Sequence, residues 1–168
     1  TMLAVHSSSQ GIHHISADDF QRFIEVSTFC FPVGLFKQMV SIMFAGIPEL
    51  FPNLRLGWME AGCGWVPYWM DRMDEEWEDQ YSRLGYSLTP SEFWHRQGYT
   101  TFQHERDIPA MLPLVGEDNV LWGSDYPHGD GVWPDSKATL DIDLAGVSAE
   151  VRRKLTRDNA GKLYGFLD

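Results

Sequence analysis

Four short apolar runs, each followed by a helical stretch, constrain this chain more than any other feature. Met2-Leu3-Ala4-Val5 ends at His6, Leu54 to Met59 ends at Glu60, Gly98 to Phe102 is followed by Gln103-His104-Glu105, and Asn119 to Gly123 runs into Ser124-Asp125. Strand–helix alternation of this kind builds a parallel sheet with right-handed crossovers. Two architectures satisfy it: an open four-stranded α/β sheet, or half of an eight-stranded barrel. No GxGxxG and no GxxxxGK[ST] occurs, so the usual nucleotide readings of an open sheet lose support.

The segments between the runs carry helix signals. Ser16 is placed to cap a helix with Phe20, Phe23, Ile24 and Ser27 on one face, and Pro32 opens a second helical stretch to about Ala45. Trp65, Trp69, Met73, Trp77, Tyr81 and Leu84 fall at helical spacing and predict one apolar stripe, read as core. Thr89-Pro90-Ser91-Glu92 is a capping box with proline at the first helical position. A proline-interrupted helix is expected over 107–115, and further helices over 136–140 and 148–157.

Charge and cysteine usage narrow the partners. The formal net charge of −11 argues against nucleic acid or an anionic membrane, because phosphate binding needs clustered Lys and Arg. No apolar run approaches the roughly 18 residues that span a bilayer. Cys30 and Cys63 are the two cysteines, no CxxC is present, and reduced thiols in a cytoplasm are the expectation. Seven Trp and ten Phe are many for 168 residues, and such aromatics fill cores or line pockets for flat organic ligands. A strand beginning at residue two reads as a chain cut from something longer.

His6, Glu60 and Asp125 each lie just past the C-terminal end of an expected strand. In a parallel sheet those ends face one way, so the three side chains can converge. Imidazole and carboxylate together suit Zn²⁺, Mn²⁺ or Fe²⁺, and a bound water would become a nucleophile near neutral pH. Each residue also has a structural reading: a strand-end histidine, an arginine partner, a turn cap. His104 is an outlying candidate, His13 and His14 read as solvated loop residues, His95 as structural, and Cys63 as a small buried side chain.

The strings Phe51-Pro52-Asn53-Leu54-Arg55-Leu56 and Glu60-Ala61-Gly62-Cys63-Gly64-Trp65-Val66-Pro67 resemble the amidohydrolase-related family, in the branch of aminocarboxymuconate-semialdehyde decarboxylase. Val120-Leu121-Trp122-Gly123-Ser124-Asp125-Tyr126-Pro127-His128 is similar to that family's last-strand motif, and Asp158 to Gly165 to its C-terminal helix. The resemblance implies strands five to eight of a (β/α)₈ TIM-type barrel: one domain over residues 1–168, truncated at its N-terminus. Four strands of a barrel leave two unpaired edges and an exposed apolar half-core, so dimerisation, association with the missing N-terminal half-barrel or aggregation is expected.

It also implies roles. Asp125 matches the metal-binding aspartate of the last strand, and His6 the fifth-strand histidine ligand. Glu60 stands where the decarboxylase branch carries a histidine; a carboxylate accepts a proton or touches the metal but does not donate as imidazolium does. The expected chemistry is therefore hydrolysis of a small cyclic or aromatic acid, amide, ester or lactone through a metal-activated water. A non-oxidative carboxy-lyase and a non-catalytic half-barrel are the alternatives. Asp125 and Glu60 are the expected catalytic residues, His6 and Asp125 the metal ligands, and His128, Trp65 and Tyr126 the substrate contacts. Zn²⁺ is the first choice of metal. The family's first-strand His-x-His pair has no counterpart here.

Overall fold

The structure, a computed structural model, describes residues 1–6, 20–81 and 85–167. His13, His14, the Ser16 cap and Leu84 lie outside these residues.

Four strands form one parallel sheet in the order β1 (Met2–His6), β2 (Arg55–Met59), β3 (Gly98–Phe102) and β4 (Val120–Trp122). The register pairs His6 with Met59, Trp58 with Thr100, and Phe102 with Trp122. It brings the C-terminal ends of all four strands to one rim, so every residue singled out just after a strand lands on the same side of the sheet. β1 and β4 are the two edges.

Helices follow each strand. α1 (Phe23–Phe44) and α2 (Ile47–Leu50) connect β1 to β2, and α3 (Val66–Glu76) and α4 (Pro90–Gln97) connect β2 to β3. α5 (Ile108–Val115) leads into β4, and α6 (Ser136–Asp143), α7 (Ala149–Arg153) and α8 (Asn159–Leu163) follow it. α3 runs on into a π-helical turn over Trp77–Tyr81, and α7 into another over Lys154–Asp158.

The break expected at Pro32 does not occur: α1 is one helix of 22 residues with Pro32 inside it. A mid-helix proline forfeits one backbone hydrogen bond and crowds the preceding turn. Leu35, Met39 and Met43, four residues apart on one face, are buried in the main core and offset that loss. Read as a single helix, α1 is long and apolar enough by length and composition to cross a bilayer, which the expected break had concealed.

The main core lies between the sheet and its helices. Leu56, Trp58, Phe102 and Val120 from the strands meet Leu35, Met39, Met73, Phe93, Trp94, Ile108 and Leu155. Within the stripe on α3 and its π turn, Met73 and Trp77 are buried and Trp69 is half-buried, as core residues should be. The capping box at Thr89 forms, with the Glu92 N–H donating to Thr89 Oγ1 at 3.3 Å and the Thr89 N–H donating to Glu92 Oε2 at 2.8 Å.

Two buried asparagines anchor the end of the fold. Asn119 Nδ2 donates to the Trp94, His95 and Gly98 carbonyls. Asn159 Nδ2 donates to the carbonyls of Glu117 and Val120, both at 2.8 Å, tying α8 to β4. Gly161 lies under Leu167, where a β-carbon would come within 2.4 Å of Leu167 Cδ1. These contacts account for the Asn-Ala-Gly spacing near the C-terminus.

Candidate functional site

Glu60 and Asp125 share an uncommon backbone. Each follows a strand end, and each has a positive φ, 65° for Glu60 and 58° for Asp125. They are the two non-glycine residues with positive φ among the described residues. Such a conformation costs of order 1–3 kcal/mol and persists where surrounding structure fixes it. The Glu60 N–H is held by Thr101 Oγ1 at 2.9 Å, and the Asp125 carbonyl accepts from the His128 N–H at 2.8 Å.

That turn decides where His128 points. Its Nδ1 lies 2.8 Å from Asp125 Oδ1. Hydrogen bonding to Asp125, reinforced by the carboxylate's charge, raises the His128 pKa above its ordinary value. At the opposite flank, His6 Nε2 lies 2.7 Å from Glu60 Oε2. Single ligand atoms of Glu60, Asp125 and His128 all fall within 4.8 Å of one another.

Two cavities meet on these carboxylates. One of about 780 Å³ is lined by His6, Phe31, Glu60, Gln103, Asp125 and His128. The other, about 570 Å³, reaches from Glu60 and Asp125 across the end of β3 to Thr101, Gln103, His104 and Glu105. Both lie in the range of small-molecule sites.

The donor set tests well for a divalent ion. Two carboxylates and an imidazole match the preferences of Zn²⁺, Mn²⁺ and Fe²⁺. Ligand atoms sharing one such ion stand about 3–4 Å apart, so the observed envelope is within side-chain adjustment of a coordination set.

The expected site residues are thus distributed unevenly. Glu60 and Asp125 come together. His128, expected as a substrate contact, is the third member of the tight cluster, while His6 joins it through Glu60. Trp65 and Tyr126 stand apart from this cluster, and neither lines the two cavities. The Trp65 ring packs on Phe36 with centroids 4.9 Å apart, and its Nε1 donates to the Gly62 carbonyl at 2.9 Å. That bond braces the turn between β2 and α3, so the indole belongs to packing. Tyr126 is 65% exposed and meets Trp133 edge-on at 5.1 Å.

Cys63 is a small buried side chain, as expected. Burial pushes its thiol pKa far up, and the Glu105 charge adds to the shift, so no thiolate nucleophile forms. Sequence reading passed over Thr101, Gln103 and Glu105, although all stand at the end of β3. Glu105 accepts backbone N–H groups from Cys63, at 2.8 and 3.1 Å, and from Gly64, at 3.1 Å, fixing the loop after Glu60.

Comparison with known proteins identifies the family and the fold. An amidohydrolase family model matches residues 4–166. Among solved structures, the fold is similar to 2,6-dihydroxybenzoate decarboxylase from Rhizobium, with TM-score 0.80 and 17% identity over 99% of this chain and 51% of that one. It is similar to 5-carboxyvanillate decarboxylase from Novosphingobium aromaticivorans, complexed with manganese and 4-hydroxy-3-methoxy-5-nitrobenzoic acid, with TM-score 0.73 and 20% identity over 98% of this chain and 48% of that one. An amidohydrolase from Mycobacterium avium subsp. paratuberculosis K-10 has TM-score 0.68 and 28% identity over 76% of this chain and 32% of that one. The chain therefore spans between about a third and about half the length of these proteins. No curated protein sequence gives a significant match.

Proposed function

We propose that this chain, which belongs to the amidohydrolase family, carries part of a divalent-metal site for the decarboxylation of a small aromatic acid. The observation that carries the reading is the convergence of Glu60, Asp125 and His128 within 4.8 Å at the strand-end rim. Two neighbours of the same fold favour the substrate class, since both are decarboxylases of substituted benzoates.

We read the four parallel strands as strands five to eight of a (β/α)₈ barrel. Near-complete coverage of this chain against about half of two neighbours supports that placement. Four further strands, from a longer chain or from a second copy, would close the sheet at β1 and β4.

Glu60, Asp125 and His128 would hold the ion, with His6 supporting Glu60. A divalent ion there supplies a fixed positive charge for the acidic oxygens of the substrate. Manganese fits this donor set, as zinc does. The rest falls to the chain's own groups. Phe31 offers the larger cavity an apolar wall for a flat ring. Loss of CO₂ from an aromatic carboxylate requires one proton to reach the ring carbon as the carbon–carbon bond breaks. The His6 Nε2–Glu60 Oε2 pair can hold such a proton between an imidazole and a carboxylate.

Hydrolysis is the second reading, and the Glu60 carboxylate favours it, because it can take a proton from water but is a poor donor once ionised. Calorimetric titration with Mn²⁺ and Zn²⁺ tests the site itself: saturable binding lost in Asp125→Asn is expected, and no binding of either ion overturns the metal reading. Two incubations then separate the chemistries, 2,6-dihydroxybenzoate in D₂O and an aromatic ester or lactone in ¹⁸O-water. Release of CO₂ with formation of the decarboxylated phenol, deuterated at the ring carbon that lost the carboxylate, supports the first reading. Label incorporated into the acid product of an ester or lactone substrate supports the second.

A further inference from the structure

Asp143, at the C-terminal end of α6, has a fully buried side chain. Its Oδ2 accepts the Glu105 backbone N–H at 3.1 Å and lies 2.9 Å from His104 Nδ1. Its Oδ1 is buried without a hydrogen-bond partner. A buried carboxylate short of donors holds the His104 ring firmly in place. In the neutral imidazole, the proton facing that carboxylate sits on Nδ1, and Nε2 keeps its lone pair.

His104 stands at the end of β3 and lines the cavity of about 570 Å³ together with Glu60, Gln103, Glu105 and Asp125. Its side chain is 47% exposed, although its Nδ1 edge faces a carboxylate with no exposure. The Nε2 edge is therefore the one presented to the cavity. His6 and His128, which line the other cavity, belong to the Glu60–Asp125 cluster read as the metal site. His104 is the imidazole that lines the cavity of about 570 Å³, outside that cluster, with its outer nitrogen left for a ligand at the end of β3.

We propose that His104, oriented by Asp143, reads a ring hydroxyl of the substrate. Nε2 accepts the phenolic O–H while the acid group lies at the Glu60–Asp125–His128 end, which makes the preferred ligand a hydroxylated aromatic acid. This assignment rests on the aromatic-acid reading above. His104 contacts the ligand, and Asp143 is a positioning residue that acts through it.

The test uses the Mn²⁺-loaded chain with two probes, 2,6-dihydroxybenzoate and benzoate, and long-range ¹H–¹⁵N spectra of the histidine rings in the metal-free chain. Wild type is expected to prefer the dihydroxy acid, with the His104 proton on Nδ1. His104→Ala narrows that preference roughly tenfold or more, and His104→Gln, whose amide oxygen also accepts, restores part of it. Asp143→Ala releases the tautomer and Asp143→Asn recovers it; if the alanine variant does not fold, the His104 variants still decide. An unchanged preference in His104→Ala, or a wild-type proton on Nε2, overturns this assignment alone. Failure of both acids to bind wild type overturns the aromatic-acid reading and takes this assignment with it.

Discussion

His128 Nδ1 and Asp125 Oδ1 stand 2.8 Å apart across a turn that the same two residues close, the His128 N–H donating to the Asp125 carbonyl at 2.8 Å. Backbone and side chain therefore fix one another, and an exposed imidazole is held against a carboxylate that is only 14% exposed. The pairing is local in sequence but depends on Asp125 adopting φ 58° as β4 ends.

Asp125 raises the His128 pKa mainly through its hydrogen bond, so Asp125→Asn is expected to return it toward the ordinary histidine value of about 6.5. Because the folded-state value lies above the unfolded one, the pair stabilises the fold below the unfolded value, and that contribution is lost as pH rises through the folded value. An NMR titration of the His128 ring in metal-free wild type and variant measures the change. Identical titration curves would show that the contact does not hold in solution.

Much of this site was legible because strand ends are legible. The apolar runs stopping at His6, Glu60 and Asp125 placed three groups on one rim before any coordinates, since parallel strands share a direction. Asp143 was not legible. It comes from a helix expected to end at Leu140, and its meeting with His104 depends on how α6 packs. Trp65 was legible only as a residue on an apolar stripe beside a glycine-rich turn; that its indole packs on Phe36 depends on how the helices meet. Pro32 misled for a related reason. Local propensity argues for a break there, and the burial of Leu35, Met39 and Met43 overrides it.

Asn159 tests the anchoring of the C-terminal helix. Its amide satisfies two carbonyls, on Glu117 and Val120, from a position only 6% exposed. Asn159→Leu removes both donors while retaining bulk. Leaving those acceptors unpaired is expected to cost about 2–4 kcal/mol, read as a lower midpoint in urea with little change in slope. A variant as stable as wild type would mean that water replaces the amide at this junction.

Acid should weaken the contact between α2 and the loop before α4. Glu49 Oε2 accepts the Ser87 backbone N–H at 3.0 Å and the Ser87 hydroxyl at 2.8 Å, and these bonds, the backbone one first, hold its pKa below the ordinary carboxylate value. A depressed folded-state value means that the stabilisation is present above the unfolded value and is lost as pH falls through the folded one. Thermal midpoints of wild type and Glu49→Gln should therefore differ near neutral pH and converge in acid. A constant gap across that range would refute the assignment.

Gly62 offers the sharpest test of how the loop after Glu60 is built. Its φ is 71°, and a β-carbon there would stand 2.4 Å from Glu105 Oε1. Gly62→Ala meets two separate costs. The backbone term is of order 1–3 kcal/mol for a non-glycine residue in this region. The second is displacement of a carboxylate that accepts the Cys63 and Gly64 N–H groups. The two can be separated, because only the second depends on the Glu105 side chain. In a Glu105→Ala background, the alanine at position 62 should destabilise by the backbone term alone, so a double-mutant cycle in urea should give a nonzero coupling. Divalent-metal affinity should fall in Gly62→Ala as well, since the loop it distorts begins at Glu60. Strict additivity of the two substitutions would show that Glu105 swings away freely and does not hold this loop.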